Sequence, residues 1–295
     1  MFDLSLTVFN GLSWGMATFL VAAGLTLIFG ILHILNFAHG AFFMIGAYIA
    51  YSLMTAIGGS GVSVPVYILL ALASGLVVAG LGVVVDLLIF RRLRGVDDAY
   101  VLIATYALLL ACVGAVKLIW GLDFRSVMPP PALNSAIIAG DLIMPTYTMF
   151  IIAAGVVVFL ALEAFMSLTR AGQLIRVVAM DGWMARVLGI DIKRIYLITV
   201  VISFGLAGLA GGLLAANQSL SPELGGIFLL QAFGVVIVGG MGSIRGAFLA
   251  SILLGLIESF GSTLVPDYPG IFYLIALAAI LLIRPQGLMG REEPA

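Results

Sequence analysis

Four side chains that can hydrogen-bond interrupt an apolar stretch near the start of the chain. They are His33, Asn36, His39 and Tyr48, and they lie in the sequence GILHILNFAHGAFFMIGAY, residues 30–48. Hydrocarbon satisfies none of these groups, so we expect each of them to face protein, water or a substrate. Their clustering makes this stretch a candidate binding site inside an otherwise oily segment.

Asn36 predicts a helix start, because an amide oxygen at the N-cap accepts from the free N–H groups of the first turn. We therefore expect one helix to end near Leu32–Leu35 and a second to begin at Asn36. A helix start offers free N–H groups and a positive dipole end, which suit a carboxylate, and transporters use interrupted helices in this way. The alternative is a short turn at the membrane surface, where the polar groups meet water.

The composition predicts an all-α polytopic membrane protein. Of the 295 residues, 63% are hydrophobic and only 9% are charged, whereas charged residues make up about a quarter of a soluble domain. The apolar runs reach roughly 20 residues, the length of a spanning helix, and not the ~10-residue alternation of a membrane barrel. A net charge of −1 gives no indication of nucleic-acid binding. The single cysteine, Cys112, fits a small apolar packing residue.

We expect residues 1–295 to form a single transmembrane domain, a helical bundle of about eight or nine membrane segments that include broken or re-entrant helices. The seventh segment has only ~14 residues, so whether it crosses or re-enters is open. A polar, proline-rich connection spans residues 121–146, and a charged loop spans residues 169–194. The nine apolar segments are residues 8–35, 37–57, 66–90, 100–120, 147–168, 195–216, 227–240, 246–265 and 270–283.

The basic residues predict the orientation of the chain. Eleven of the 13 Lys and Arg residues fall on one side of these segments, and only Lys117 and Arg125 fall on the other. By the positive-inside rule, the N-terminus is outside and the C-terminus is cytoplasmic. Asp86, Glu163 and Glu258, like Lys117, lie within about two turns of a segment end, so we expect all four to snorkel to the interface.

Several motifs that carry chemistry are absent from the sequence. There is no G-x-x-x-x-G-K-[ST] phosphate loop, no H-E-x-x-H, no Cys/His metal spacing and no Ser/His/Asp set at a recognisable spacing. These absences argue against an enzyme, a metal site and nucleotide binding by this chain. No acidic residue lies in the middle of a segment, which argues against an ion-coupled secondary carrier.

The loop at residues 169–194 reads TRAGQLIRVVAMDGWMARVLGIDIKR. Between Gln173 and Leu188 the apolar residues recur at steps of three and four, and Gly189 then gives a stop signal. The pattern predicts one short amphipathic helix facing the cytosol. Such a helix either lies on the bilayer surface, with its Arg residues facing lipid phosphates, or docks in the groove of a soluble partner.

Four stretches resemble the permease family of branched-chain amino acid ABC importers. They are LTLIFGILHILNFAHGAFFMIGAY, the loop pattern A-x-D-x-x-x-A-R-x-x-G-I-D from Ala179, VVIVGGMGSIRGAFLASILLGLIES, and the closing IRPQGLMG. The resemblance covers nearly the whole chain, in order. Two positions depart from the family pattern. Trp183-Met184-Ala185 stands where such permeases usually have Glu-Ala-Ala, and Ala41 stands where relatives often have Glu.

The resemblance implies a membrane-spanning subunit in the bacterial inner membrane, paired with a second, homologous permease in a homo- or heterodimer. Two cytoplasmic ABC ATPases would dock on residues 169–194 and bind the ATP, so this chain would carry no cofactor. A periplasmic binding protein would deliver substrate to the outer loops at residues 121–145 and 217–226. Branched-chain amino acids are the implied cargo; urea, short amides and aromatic acids are alternatives. A stand-alone channel or secondary carrier is a further alternative.

The resemblance and the residue types together select two sets of candidate residues. The predicted substrate pathway comprises Asn36, Phe37, His39, Gly40, Phe42, Gly239, Gly240 and Gly242. The predicted ATPase-docking residues are Asp181, Trp183, Met184, Ala185, Arg186, Leu188 and Gly189. For the glycines the alternative is tight helix packing.

Two four-residue stretches also resemble each other, since both end in Gly-Ala-Phe. His39-Gly40-Ala41-Phe42 opens the second segment, and Arg245-Gly246-Ala247-Phe248 opens the eighth. Both segments are predicted to run from inside to outside. An internal repeat would fit transporter architecture, and chance similarity of common membrane residues is the alternative.

Overall fold

The computed structural model describes residues 4–32, 34–58, 61–139 and 142–290. These residues form a helical bundle, in which a π-helical segment, Asp86–Phe90, joins α3 to α4, and a 3₁₀ turn covers Pro131–Leu133. The α-helices are α1 (Leu4–Leu32), α2 (Ala38–Ala56), α3 (Val64–Val85), α4 (Arg91–Leu93), α5 (Asp98–Trp120), α6 (Thr146–Leu168), α7 (Arg170–Met180), α8 (Gly182–Val187), α9 (Ile192–Leu214), α10 (Leu224–Gly239), α11 (Ile244–Leu264) and α12 (Ile271–Ile283).

The apolar helices match the nine predicted segments in position, which confirms the helical bundle. Within the described residues, six helices are long and apolar enough to cross a membrane by length and composition. Helices α10 and α12 are apolar but shorter, and α2 has 19 residues. The six are Leu4–Leu32, Val64–Leu93, Asp98–Trp120, Thr146–Leu168, Ile192–Leu214 and Ile244–Leu264.

Helix α2 lies in the interior and packs on α3, α5, α9 and α10. Glycines make the closest approaches possible: a Cβ on Gly46 would meet the backbone of Gly208, and a Cβ on Gly211 would overlap the backbone of Phe43. Lipid gives no hydrophobic drive for helix association, so close packing through small residues supplies much of the attraction. The glycine-rich sequence therefore positions α2, and with it the interrupted stretch that precedes it.

The charged residues separate into two ends of the bundle. Arg94 lies over the ring of Tyr196, 4.9 Å from its centroid, which joins the end of α3 to the start of α9. Arg245 lies at the same end, beside the last turns of α6. At the other end, Lys117 pairs with Glu223 at 3.6 Å. The two ends agree with the grouping that the basic residues predict, except that Arg291 lies outside the described residues.

The outer connection contains a β-hairpin that we did not predict. Strands β1 (Ala136–Ala139) and β2 (Leu142–Pro145) pair antiparallel. Nearby, the backbone N–H of Arg125 donates to the Leu220 carbonyl at 3.0 Å, and that of Leu220 donates to the Arg125 carbonyl at 2.8 Å. The connection at residues 121–146 is therefore tied to the loop between α9 and α10, and the two predicted outer loops share one surface.

Candidate functional site

The chain breaks between α1 and α2, as the sequence predicts. Helix α1 ends at Leu32, and α2 begins at Ala38, two residues later than predicted. The Asn36 Oδ1 accepts from the Ala38 N–H at 3.1 Å, so the predicted capping oxygen is present. The N-cap position itself belongs to Phe37, whose backbone is already helical. The other histidine of the stretch, His33, lies outside the described residues.

The first residues of α2 are buried in the bundle, whereas Leu35 in the break before them is exposed. The His39 Nε2 donates to the Val21 carbonyl at 3.0 Å. Val21 lies eleven residues before the end of α1, so the His39 ring reaches a level roughly 16 Å inside that end at 1.5 Å per residue. The alternative in which these polar groups meet water is wrong for Asn36 and His39, because both side chains are buried.

Two buried polar atoms at the start of α2 have no partner in the described part of the chain. His39 is fully buried, and its ring stacks on Phe204 with centroids 6.4 Å apart. A carbonyl only accepts, so Nε2 carries the proton, and Nδ1 has no hydrogen-bond partner. The Asn36 Nδ2 is likewise buried and unpartnered. Unpaired buried polar groups cost stability. The two atoms are therefore a donor and an acceptor that a bound group could satisfy.

Three close contacts pack the start of α2 against the rest of the bundle. Phe42 packs on Phe204 with centroids 4.2 Å apart. Phe37 lies 5.1 Å from Phe233 of α10. A Cβ on Gly40 would overlap the Gly225 carbonyl oxygen, so backbone meets backbone there. In this conformation Asn36 and His39 are enclosed within the chain, and their role in a substrate pathway stays a prediction.

The predicted glycines of the pathway lie elsewhere, in the turn between α10 and α11. Gly240 and Gly242 have φ of +96° and +86°, a left-handed backbone that favours glycine. A Cβ on Gly239 would meet the backbone of α11, and one on Gly242 would meet the Cα of Gly30 at 2.8 Å. The glycines here permit close packing, and their place in a substrate pathway stays a prediction.

Gly242 also lines a cavity of about 1130 Å³ at the end of the bundle that carries most of the basic residues. Its walls come from α1, α6, α7, the α10–α11 turn and the segment at residues 285–290. Three charged side chains line it: Glu163, Arg176 and Arg245. Sequence reasoning did not find this cavity, because Glu163 and Arg245 are 82 residues apart and no local pattern links them.

The predicted docking helix is two helices, α7 and α8, and the prediction of a single one is wrong. The break is at Asp181, whose backbone is extended and whose side chain accepts from the Met184 N–H at 2.8 Å. An Asp at this position caps the second helix, and that preference outweighs the apolar periodicity. The predicted stop is confirmed: Gly189 has φ of +80°, and the Ile190 N–H donates to the Ala185 carbonyl at 3.0 Å.

Helix α8 presents large apolar side chains on its outer surface. Trp183 is 70% exposed, Met184 46% and Leu188 69%, whereas Ala185 is fully buried against the bundle. Arg186 is exposed beside them. Apolar side chains exposed together on a helix that connects two spans are typical of an interaction surface.

Asp86 does not snorkel, and the prediction that it would is wrong. Its side chain is fully buried at the start of the π-helical segment. Its two carboxylate oxygens accept from Arg91 Nε at 3.0 Å and from Arg94 Nη2 at 2.6 Å. Two charge-assisted hydrogen bonds satisfy the buried carboxylate, which is the condition for burying a charge.

Glu258 is also buried, at 7% exposure, so the same prediction is wrong for it. Its carboxylate accepts from the backbone N–H groups of Gly270 and Tyr273 at 2.5 and 2.9 Å, and so caps α12 from a neighbouring helix. Lys117, with a side chain 40% exposed, fits the prediction. Within the described residues, no group of three or more His, Cys, Asp or Glu side chains could hold a metal ion.

The sequence is similar to several transport proteins along nearly its whole length. The family model described as "Branched-chain amino acid transport system / permease component" matches residues 7–283. The high-affinity branched-chain amino acid transport system permease protein BraD of Pseudomonas aeruginosa is 33% identical over 293 residues, covering 96% of this chain and 95% of that protein. LivH of Escherichia coli strain K12, a permease protein of the same description, is 30% identical over 295 residues, covering 97% and 95%.

A second type of relative is more distant. LivM of Escherichia coli strain K12, a permease protein of the same description, is 29% identical over 307 residues, covering 95% of this chain and 69% of that protein. No solved structure gives a significant match. The apolar helices, the interrupted α2 and the match over residues 7–283 agree: this chain is a multi-pass membrane protein that belongs to the branched-chain amino acid transport system permease component family.

Proposed function

We propose that this chain is one of two membrane-spanning subunits of an ABC importer in the bacterial inner membrane. A second, homologous permease pairs with it, two cytoplasmic ATPases supply the energy, and a periplasmic binding protein delivers a branched-chain amino acid. Residues 1–295 act as one permease domain, with the N-terminus outside and the C-terminus cytoplasmic. The chain itself performs no covalent chemistry and binds no nucleotide.

The single observation that carries this proposal is the apolar surface of α8. Trp183, Met184 and Leu188 are exposed on a helix held in place by the buried Ala185 and by the Asp181 cap. A helix of this kind, inserted in a hydrophobic groove of a soluble partner, buries those side chains and gains affinity. In a permease without a nucleotide site of its own, the partner that fits is an ATPase.

The mechanism follows from the connection between α8 and the bundle. Helix α7 follows α6 directly, with Thr169 bonded to both helices: its Oγ1 donates to the Phe165 carbonyl at 2.7 Å and accepts from the Gly172 N–H at 3.0 Å. Helix α8 leads into α9 within five residues. Closure of the ATPases around ATP moves the docking helices, and the two spans transmit that motion. ATP biases the change only through different affinities for the two states of the pathway.

The two outer loops form the face that receives the binding protein. The backbone pairing of Arg125 with Leu220 holds the 121–146 connection against the α9–α10 loop. Glu223 in that loop is 65% exposed and Asp123 is 86% exposed, so charged side chains border the shared surface. The support for this assignment is position: the surface lies at the end of the bundle opposite α8.

The test is ATP-driven leucine uptake by the chain reconstituted with its ATPases, permease partner and binding protein. Trp183→Glu combined with Met184→Glu is expected to lower uptake by about tenfold or more, the size of effect that follows loss of a buried interface aromatic. ATPase co-purification is expected to fall in parallel, with insertion unchanged. The control is Val96→Glu, which places one such charge at an exposed apolar residue of the same end. Normal uptake in the double variant would refute the docking assignment.

A further inference from the structure

We propose that the cavity lined by Glu163, Arg176 and Arg245 is a binding site, open to the cytoplasm, for a free zwitterionic amino acid with an aliphatic side chain. The inference rests on the proposed function for its choice of cargo and orientation. It adds a place inside this one chain where the cargo is held before it leaves, separate from the interrupted start of α2.

The charges of the cavity fit an ammonium and a carboxylate together. Arg245 donates from both Nε, at 2.9 Å, and Nη2 to the same oxygen of Glu163, Oε1. Oε2 of Glu163 and Nη1 of Arg245 bond to no group in the described part of the chain. A substrate ammonium can therefore bind Oε2 while a substrate carboxylate binds Nη1, and the ion pair need not break.

Arg176 adds a second cation without a carboxylate partner among the described residues. It is exposed on α7 and lines the same cavity. A ligand with only negative charge would meet the Glu163 carboxylate, and one with only positive charge would meet two guanidinium groups. A zwitterion avoids both conflicts, since each of its charges finds an opposite one.

The apolar walls fit an aliphatic side chain. They include four methionines, whose flexible thioethers adapt to leucine, isoleucine and valine alike. The cavity volume of about 1130 Å³ exceeds the roughly 300–1,000 Å³ typical of small-molecule sites. A ligand there keeps part of its hydration and binds weakly, which suits a position from which cargo must depart. The four are Met166, Met180, Met241 and Met289.

An aromatic cluster closes the bundle beyond the cavity. Phe159, one turn before Glu163 on α6, stacks on Phe248, one turn after Arg245 on α11, with centroids 4.1 Å apart. Phe19 packs on Phe248 at 5.2 Å. One further wall belongs to the docking segment, since Ile175, Arg176, Ala179 and Met180 of α7 line the cavity. Movement of α7 with a docked ATPase would reshape the site and alter its affinity.

The experiment measures leucine binding to the purified full chain in nanodiscs of phosphatidylcholine, by ligand-observed NMR. We expect weak, saturable binding that isoleucine and valine compete away. The two matched single-charge analogues, 4-methylpentanoate without the ammonium and isoamylamine without the carboxylate, should compete at least about tenfold less well, because each loses one charge-assisted hydrogen bond.

Two charge-removing variants and two matched controls locate the binding. Glu163→Gln and Arg245→Gln should each weaken leucine binding by about tenfold. Asp98→Asn and Arg92→Gln remove the same charges from exposed positions outside the cavity and should leave binding unchanged. Equal binding in all four variants, or no binding in the unmodified chain, would overturn the proposal. So would a co-purified aminophospholipid that occupies the cavity and excludes leucine. Failure of ATP-driven uptake with leucine binding intact would instead count against the proposed function alone.

Discussion

Two helix starts in this protein share a sequence pattern and differ in what surrounds them. Helix α2 begins Ala38-His39-Gly40, and α11 begins Ile244-Arg245-Gly246. A side chain before each helix accepts from its first turn: Asn36 Oδ1, two residues before α2, accepts from the Ala38 N–H at 3.1 Å, and Ser243 Oγ, at the N-cap of α11, accepts from the Gly246 N–H at 3.0 Å. In each, the glycine abuts a carbonyl oxygen of α10. The repeated pattern therefore occupies equivalent positions in the two helices.

The second residue of each helix makes the difference. His39 is fully buried, and its ring donates to the Val21 carbonyl of α1. Arg245 has a side chain 66% exposed and lines the large cavity beside Glu163. One start is sealed by packing and the other opens to solvent. The same local pattern therefore forms a buried packing contact in α2 and part of a polar cavity in α11, because the fold places different neighbours around it.

The largest expected contrast is between His39→Ala and Arg245→Ala. Loss of the buried ring leaves a cavity and removes the bond to Val21, so we expect a destabilisation of about 2–5 kcal/mol. Loss of the exposed Arg245 guanidinium should cost much less, because solvent screens its ion pair with Glu163. The free energy of unfolding in mixed detergent micelles measures both. Equal losses of stability in the two variants would contradict the difference in burial between His39 and Arg245.

The next contrast tests what the two starts share. Gly40→Ala and Gly246→Ala each place a Cβ against a backbone carbonyl that has little freedom to move, so each should cost about 1–3 kcal/mol or more through overpacking. Gly114→Ala is the matched control, because nothing lies within 4 Å of a Cβ there. Thermal unfolding of the purified proteins measures the effect. If Gly246→Ala behaves like the control, the two starts are not equivalent.

The smallest effect concerns the caps. Asn36→Ala and Ser243→Ala each remove one side-chain acceptor from a helix start, at a cost of about 1 kcal/mol. Asn36→Asp also keeps an acceptor, but it adds a charge at a buried position. Ser243→Thr keeps the hydroxyl acceptor without adding a charge and therefore serves as the conservative control for capping. Chemical denaturation in micelles resolves differences of this size. An unchanged denaturation midpoint in both alanine variants would show that neither cap stabilises its helix.

Local features of the fold could be predicted from the sequence. The apolar segments, the break after Leu32, the capping oxygen of Asn36 and the stop at Gly189 all depend on neighbours within one or two turns, so residue type and spacing identify them. The prediction of a single docking helix was wrong for a local reason as well: it followed the apolar periodicity and missed the helix start capped by Asp181. The hairpin also had a sequence signal, because Gly140-Asp141 separates two short apolar runs.

Tertiary partners could not be predicted in the same way. Glu258 accepts a hydrogen bond from Gly270, 12 residues away at the start of α12. Glu163 accepts one from Arg245, 82 residues away. The positions of such carboxylates in the sequence show that they lie near helix ends. They do not show whether the side chain reaches water or a protein group. The candidate pathway shows the same limit. Polar residues in an oily segment point to a special position, and only the packing shows that Asn36 and His39 are enclosed while Arg245 is accessible.

Leucine uptake into proteoliposomes with and without the ATPases tests most directly whether this chain is the permease of an ATP-driven importer. We predict uptake against a gradient when the permease pair, both ATPases, the binding protein and ATP are all present. We predict no uptake when the ATPases are left out. Concentrative leucine transport by this chain in the absence of any ATPase would contradict the account.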